Sequence, residues 1–161
     1  MYSLRKTDAD VLICEGAVVA ADVTLGKGVN VWYNAVIRGD DGAVSIGEDT
    51  NIQDNAVVHE TAVIGRGCTI GHGAIVHGCT IGDNTLIGMG AIILTGARIG
   101  RDCLVGAGAL VTGKMNVPDG SLVLGNPAKV IRPLTPAEIA ENEASREEYL
   151  EFARRCRAAG D

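Results

Sequence analysis

An aliphatic residue recurs at every sixth position over most of this chain, and few folds can accommodate that spacing. The first run is Ile13, Val19, Leu25, Val31 and Ile37. The second is Ile46, Ile52, Val58, Ile64, Ile70 and Val76. The third is Ile81, Ile87, Ile93, Ile99, Val105, Val111, Val117 and Val123. Only two breaks occur: three extra residues between Ile37 and Ile46, and one missing residue between Val76 and Ile81. With the aliphatic residue as position one, position five is mostly small: Ala17, Ala35, Thr50, Ala56, Ala62, Cys68, Ala74, Thr80, Thr85, Ala91, Ala97, Cys103 and Ala109. Position two is often glycine, as at Gly26, Gly47, Gly65, Gly71, Gly82, Gly88, Gly100 and Gly106.

Hairpins would alternate apolar and polar residues with period two, so a period of six marks a solenoid. Each hexad supplies a short strand and a turn, and three hexads close one triangular coil with the aliphatic side chain inside. The spacing predicts an all-β parallel β-helix over 13–133, of about six coils, followed by a C-terminal α-helix. Composition agrees, because a narrow prism has little room for rings and the chain has one Phe, one Trp and three Tyr. Residues 1–12 form a separate N-terminal segment.

The repeat stops at Val123, and GNPAKVIRPL leads to helix signals over 134–161. Thr135 suits an N-cap, Pro136 the first helical position, and Glu138 completes a capping box. Ile139, Leu150, Ala153 and Cys156 are candidates for its buried stripe. Roughly 24 residues span about 36 Å, against about 29 Å for six stacked coils. The helix is therefore expected to lie along the prism. Trp32 and Tyr33 are expected to pack beneath it or at an interface.

A formal net charge of −6 and no basic run argue against a nucleic-acid or anionic-membrane partner. No signal-peptide stretch and no 18-residue apolar run is present. Five cysteines without a CxxC spacing are expected to be free thiols in a cytoplasmic protein.

The three histidines, His59, His72 and His77, fall within nineteen residues. His59 and His77 both hold position two and lie one coil apart, with Arg38 one coil earlier. These three form one vertical column. His72 holds position three on the preceding face, one coil beyond Asp54 and Gln53. A prism cannot easily turn His72 toward the column of its own chain, but it can reach that of a neighbour. Three such contacts would close a homotrimer with three equal sites. Three imidazoles with an open position suit Zn(II), and imidazole also suits Fe(II), Co(II) and Ni(II). Histidines that merely solvate turns are the alternative. Cys79, two residues after His77, is a weaker ligand candidate.

VWYNAVIRGD at 31–40, NIQDNAVVH at 51–59 and GHGAIVHGC at 71–79 resemble the gamma-class carbonic anhydrases, hexapeptide-repeat proteins whose prisms coil left-handed. The resemblance implies that His59, His72 and His77 are the metal ligands, His72 coming from the neighbouring subunit. It also implies a metal-bound hydroxide that attacks carbon dioxide to give bicarbonate, held by Gln53. Arg38, Asp40 and Asp54 would form the polar network around it. In the family's archetype a loop after the first metal histidine carries a proton-shuttling Glu. Here the loop is missing, and the third position after His59 is Ala62. Glu60 and Asp41 are carboxylates able to take over, and a Glu installed at position 62 is expected to assist. Two other readings stay open: a metal-binding relative with little hydration activity or another substrate, and a hexapeptide acyltransferase with a histidine base, in which GNPAK at 125–129 also occurs.

Overall fold

The computed structural model describes residues 5–7 and 10–160. Of the N-terminal segment, residues 1–4, 8 and 9 lie outside the described residues, as does Asp161 at the end of the helical segment. The repeat winds into a three-sided parallel solenoid. Its first face stacks Leu12–Ile13, Asn30–Val31, Asn51–Ile52, Thr69–Ile70, Leu86–Ile87, Leu104–Val105 and Ser121–Gly125. The second face carries Val57–His59, Ile75–His77, Ile92–Ile93 and Leu110–Val111. On the third lie Val63–Ile64, Thr80–Ile81, Arg98–Ile99 and Asn116–Val117. Two long strands, Val18–Leu25 and Val36–Ile46, bend round the corner between the second and third faces. Backbone N–H groups bond the carbonyls of the neighbouring coil, as in Gln53 N to Ile70 O at 2.9 Å.

From Leu25 to Val123 every repeating aliphatic residue is buried. Ile13 and Val19 are only partly so, because they belong to the terminal coil. Position five also points inward, with one exception. Thr80 is exposed and pairs with Val63 and Arg98, while Cys79 is buried. The missing residue shortens that corner, so Cys79 rather than Thr80 fills the inward site. This also removes Cys79 as a ligand candidate. One inward column alternates Thr50, Cys68, Thr85 and Cys103. Thr50 Oγ1 donates to Gly65 O and accepts from Cys68 N, and Thr85 Oγ1 treats Gly100 O and Cys103 N alike. Small polar side chains thus satisfy backbone groups inside the prism.

The three extra residues before Ile46 are not a free loop. They sit within the continuous Val36–Ile46 strand, opposite a register shift between Ala21 and Val23. That bulge carries Asp40 and exposed Asp41 to the corner beside His59. At the other end the prism closes on an antiparallel pair, Ser121–Gly125 with Ala128–Pro133, a departure from the all-parallel expectation. The GNPAK stretch makes the turn of this hairpin, through a cis Asn126–Pro127 bond.

The helix, Pro136–Ala159, starts with the full capping box of Thr135 and Glu138. It crosses the first face against Asn30–Val31, Asn51–Ile52 and Thr69–Ile70. Of the expected contact stripe, Ala153 is buried and Ile139, Leu150 and Cys156 are partly so, and buried Asn142 and partly buried Tyr149 join it. Asn142 Nδ2 donates to Asn84 O at 3.2 Å and Cys103 O at 3.0 Å. At the other end Arg157 bonds the carbonyl of Asp10. Trp32 lies beneath, edge-on to Tyr149 with ring centroids 5.5 Å apart and to Phe152 at 6.5 Å. No helix among the described residues is long and apolar enough to cross a membrane.

Burial pushes the thiols of Cys68 and Cys79 up to about 12, and that of Cys103 upward. Because the thiolate is the nucleophile, a thiol reagent at pH 8 is expected to modify half-buried Cys156 first. Cys68, Cys79 and Cys103 should react only on unfolding. Mass mapping of the modified sites against urea concentration checks this, and rapid labelling of Cys68 in the native protein would contradict it.

Candidate metal centre

Two sets of polar side chains form on two different corners. The first follows the second face. Arg38 pairs with His59 and His59 with His77 in the parallel register, so the three side chains stack one coil apart. His59 Nδ1 lies 3.2 Å from His77 Nε2. Tetrahedral coordination at 2.0–2.1 Å separates two nitrogens by about 3.3 Å, so the pair has the spacing of two ligands of one ion. Their outer nitrogens are occupied. His59 Nε2 is 3.1 Å from Asp40 Oδ1, and His77 Nδ1 is 3.1 Å from Glu60 Oε2 and 2.9 Å from Thr95 Oγ1. Carboxylates behind the ring are how metal-binding imidazoles are usually oriented.

Arg38 Nη2 also comes within 3.3 Å of His59 Nε2. Arginine only donates, so Nε2 cannot serve Arg38 and give its proton to Asp40 at once. The shorter contact to Asp40 is the consistent one, and Arg38 anchors the far carboxylate oxygen through Nη1 at 2.9 Å. The Asp40 carboxyl sits below its usual range. Desolvation alone would raise it, but a backbone hydrogen bond, His59 and Arg38 together outweigh that.

The second set lies on the corner before the second face. His72 Nδ1 is 2.7 Å from Asp54 Oδ2, and Tyr149 of the helix places its hydroxyl 3.2 Å from His72 Nε2. Burial, followed by the charges of Asp54 and Glu148, raises the Tyr149 phenol and keeps it protonated. Gln53 is buried. Its Oε1 accepts from His72 N at 3.1 Å, and its Nε2 donates to Asn51 Oδ1 at 3.1 Å. A groove of about 430 Å³ runs beside this set, between Leu86, Leu104, Met89 and Ser145.

The structure therefore gathers Arg38, Asp40, His59, Glu60 and His77 at one corner and Gln53, Asp54 and His72 at another. Within one chain Asp54 serves His72 and does not join Arg38. Among the described residues, no three His, Cys, Asp or Glu of the single chain converge on one point. Each histidine has its own carboxylate, and the second nitrogens of His59 and His77 face each other, a donor set that fits a divalent ion; the second nitrogen of His72 meets the Tyr149 hydroxyl in the single chain and would have to exchange that contact for the ion. Sequence reasoning missed Thr95 and Tyr149. Thr95 shares position three with Glu60 and Gly78, so the column arithmetic that found the histidines also reaches it. Nothing in the helix sequence fixes the crossing angle that brings Tyr149 to His72.

Residues 43–78 and 78–113 match the family model described as bacterial transferase hexapeptide (six repeats). A probable carbonic anhydrase of Methanocaldococcus jannaschii is 49% identical over 148 residues, 89% of this chain and 93% of that protein. A mitochondrial gamma carbonic anhydrase 2 of Arabidopsis thaliana is 40% identical over 156 residues, 91% of this chain; the match spans only 56% of that protein's length. A solved Bacillus cereus structure named a putative acetyltransferase superposes with a TM-score of 0.92 at 35% identity, covering 96% of this chain and 92% of that one. Likeness in sequence and in fold, over nearly the whole repeat region, shows that this chain belongs to the gamma-class carbonic anhydrase family of hexapeptide-repeat proteins.

Proposed function

We propose that three copies of this chain form a ring in which His59 and His77 of one protomer and His72 of the next hold a metal ion, Zn(II) first among the candidates. The centre so formed hydrates carbon dioxide reversibly to bicarbonate. The observation that carries this reading is the histidine pair at ligand spacing, left one ligand short in its own chain, with a third carboxylate-backed histidine on the adjacent corner.

The surface between the two corners supports the assembly. The outward residues of the second face are Val18, Val36, Val57, Ile75, Ile92 and Leu110, paired in register one coil after another. The third face shows Thr24, Ser45, Val63, Thr80, Arg98 and Asn116 in the equivalent places. A continuous aliphatic ladder marks an interaction surface, and the polar third face suits water. Met89 lies one coil beyond His72, and Leu94 one coil beyond His77. Both are exposed in the single chain and are apolar matches across the proposed contact.

A bound ion supplies Lewis acidity that activates water near neutral pH. Asp40, Glu60 and Asp54 orient the three imidazoles, and Arg38 holds Asp40. Gln53, fixed at both ends of its amide, keeps a second N–H with which to orient the oxygen of water or substrate. Asp41 and Glu60 are the carboxylates that would carry the proton away, with no acid at position 62. We place the protein in the cytoplasm on the ground that its five cysteines form an odd set without a CxxC spacing.

Light scattering should give about three times the 16.6 kDa chain mass. Stopped-flow hydration by protein loaded with Zn(II), or with Fe(II) under reducing conditions, should be slow in dilute buffer and rise with added imidazole. A metal-replete trimer with no hydration above the buffer background would sink the carbonic anhydrase reading. The remaining alternative would be a metal-dependent relative with a different substrate, for which the apolar groove beside His72 leaves room. The acyltransferase reading draws less support, because GNPAK forms the terminal hairpin while the histidines lie in the middle coils.

A further inference from the structure

We propose that Thr95 and Glu60 are positioning residues that lock the His77 ring in the tautomer with hydrogen on Nδ1, leaving the Nε2 lone pair aimed at His59. The inference rests on the metal-centre reading above. It concerns Thr95, whose role no motif of the sequence marks.

The proton assignment follows from the contacts. Thr95 Oγ1 donates to Glu60 Oε2 at 2.6 Å, which commits the hydroxyl hydrogen and leaves the oxygen's lone pairs as acceptors. His77 Nδ1 lies 2.9 Å from that oxygen and 3.1 Å from Glu60 Oε2. Both neighbours can only accept from the ring, so Nδ1 carries the hydrogen. Nε2 is then unprotonated and faces His59 Nδ1 at 3.2 Å. Without the threonine hydroxyl, the ring keeps one acceptor on a flexible side chain, and both tautomers and other rotamers become accessible.

The backbone is shaped to admit this arrangement. Glu60, Gly78 and Thr95 hold position three of successive coils, so Glu60 must reach over the middle coil to touch Thr95. Gly78 makes the crossing possible: a Cβ there would lie 2.2 Å from Glu60 Oε2 and 2.8 Å from Thr95 Oγ1. Glu60 itself adopts φ of +62°, uncommon for a residue with a side chain. Gly78 is itself at φ of +55°, so that corner calls for glycine through its backbone as well as through the passage of the Glu60 side chain. Thr95 is exposed in the single chain, so its place is not dictated by core packing.

The test uses Thr95→Val, which keeps shape and removes the hydroxyl, and Thr95→Ser, which restores it. In metal-free, 15N-histidine-labelled protein at pH 8, long-range proton–nitrogen correlation should show His77 as the Nδ1–H tautomer. The valine variant should show a mixture and the serine variant the wild-type pattern. Zn(II) affinity by chelator competition should weaken about 10–100-fold in Thr95→Val and stay within about threefold of wild type in Thr95→Ser. Unchanged tautomer and affinity in Thr95→Val would overturn the proposal, as would a serine variant as impaired as the valine one. Wild-type protein that fails to bind Zn(II) would overturn the metal-centre reading instead, while the tautomer measurement would still decide the role of Thr95.

Discussion

His72→Ala should leave a trimer-deficient protein that no longer retains zinc. Zinc held by four ligands in a structural site is worth roughly 10–16 kcal/mol, so one ligand accounts for about 3 kcal/mol and about a hundredfold in affinity. The substitution does more than remove a nitrogen. Asp54 loses its 2.7 Å partner and Tyr149 its acceptor, both at the corner proposed to meet the neighbour. His59→Ala should weaken zinc by a similar factor but disturb assembly less, because the aliphatic ladder of the second face is untouched. Metal per protomer after dialysis against a chelator, with mass by light scattering, separates the two variants. Full zinc occupancy in His72→Ala would falsify the shared site.

That prediction was reachable from the sequence because a period-six repeat is a coordinate system. Counting eighteen residues per coil, with two register breaks, stacks Arg38, His59 and His77, and the observed ladder pairs them so. The same count puts His72 on another corner, where the structure places it. The inward aliphatic positions were legible for the same reason, since burial follows the period once three faces close. Where the period breaks, the count fails locally. The missing residue moved the inward site from Thr80 to Cys79, and the extra residues are absorbed in a bulged strand. Both outcomes are matters of turn geometry, which six-fold periodicity does not encode.

The helix was legible as an element but not as a surface. Capping residues fix where it starts. Its crossing angle depends on what the first face offers, and at its edge lie the carbonyls of Asn84 and of Cys103, the latter accepting from Leu86 N as well. Asn142 therefore anchors the contact at that point. That angle in turn delivers Tyr149 to His72. Hydrophobicity ranks Asn142 and Tyr149 low for a buried stripe, and hydrogen-bond satisfaction ranks them first.

A carboxylate installed at position 62, which the family resemblance suggested would assist, meets the packed interior of the prism. Ala62 is fully buried, at an inward position of its hexad. Ser45 N bonds Ala62 O, and Val63 N bonds Cys79 O, which places Val44 and Cys79 in the coils on either side, both buried. Glu at this site would put an unpaired carboxylate inside an aliphatic stack, at several kcal/mol, and overpack the coil by about 1–3 kcal/mol more. Against a typical stability of about 5–15 kcal/mol, that is enough to unfold a large share of the protein. Ala62→Glu is thus expected to aggregate or to unfold at much lower urea concentration, with no gain in hydration rate. Ala62→Ser is the control and should fold, since Thr50 and Thr85 occupy inward sites by bonding a neighbouring coil's carbonyl. A soluble Ala62→Glu protein with the wild-type urea midpoint would mean that this corner opens outward. A carboxylate meant for solvent belongs one residue earlier, at exposed Thr61. Its side chain lies beside Gly42 in the bulge that carries Asp40 and Asp41.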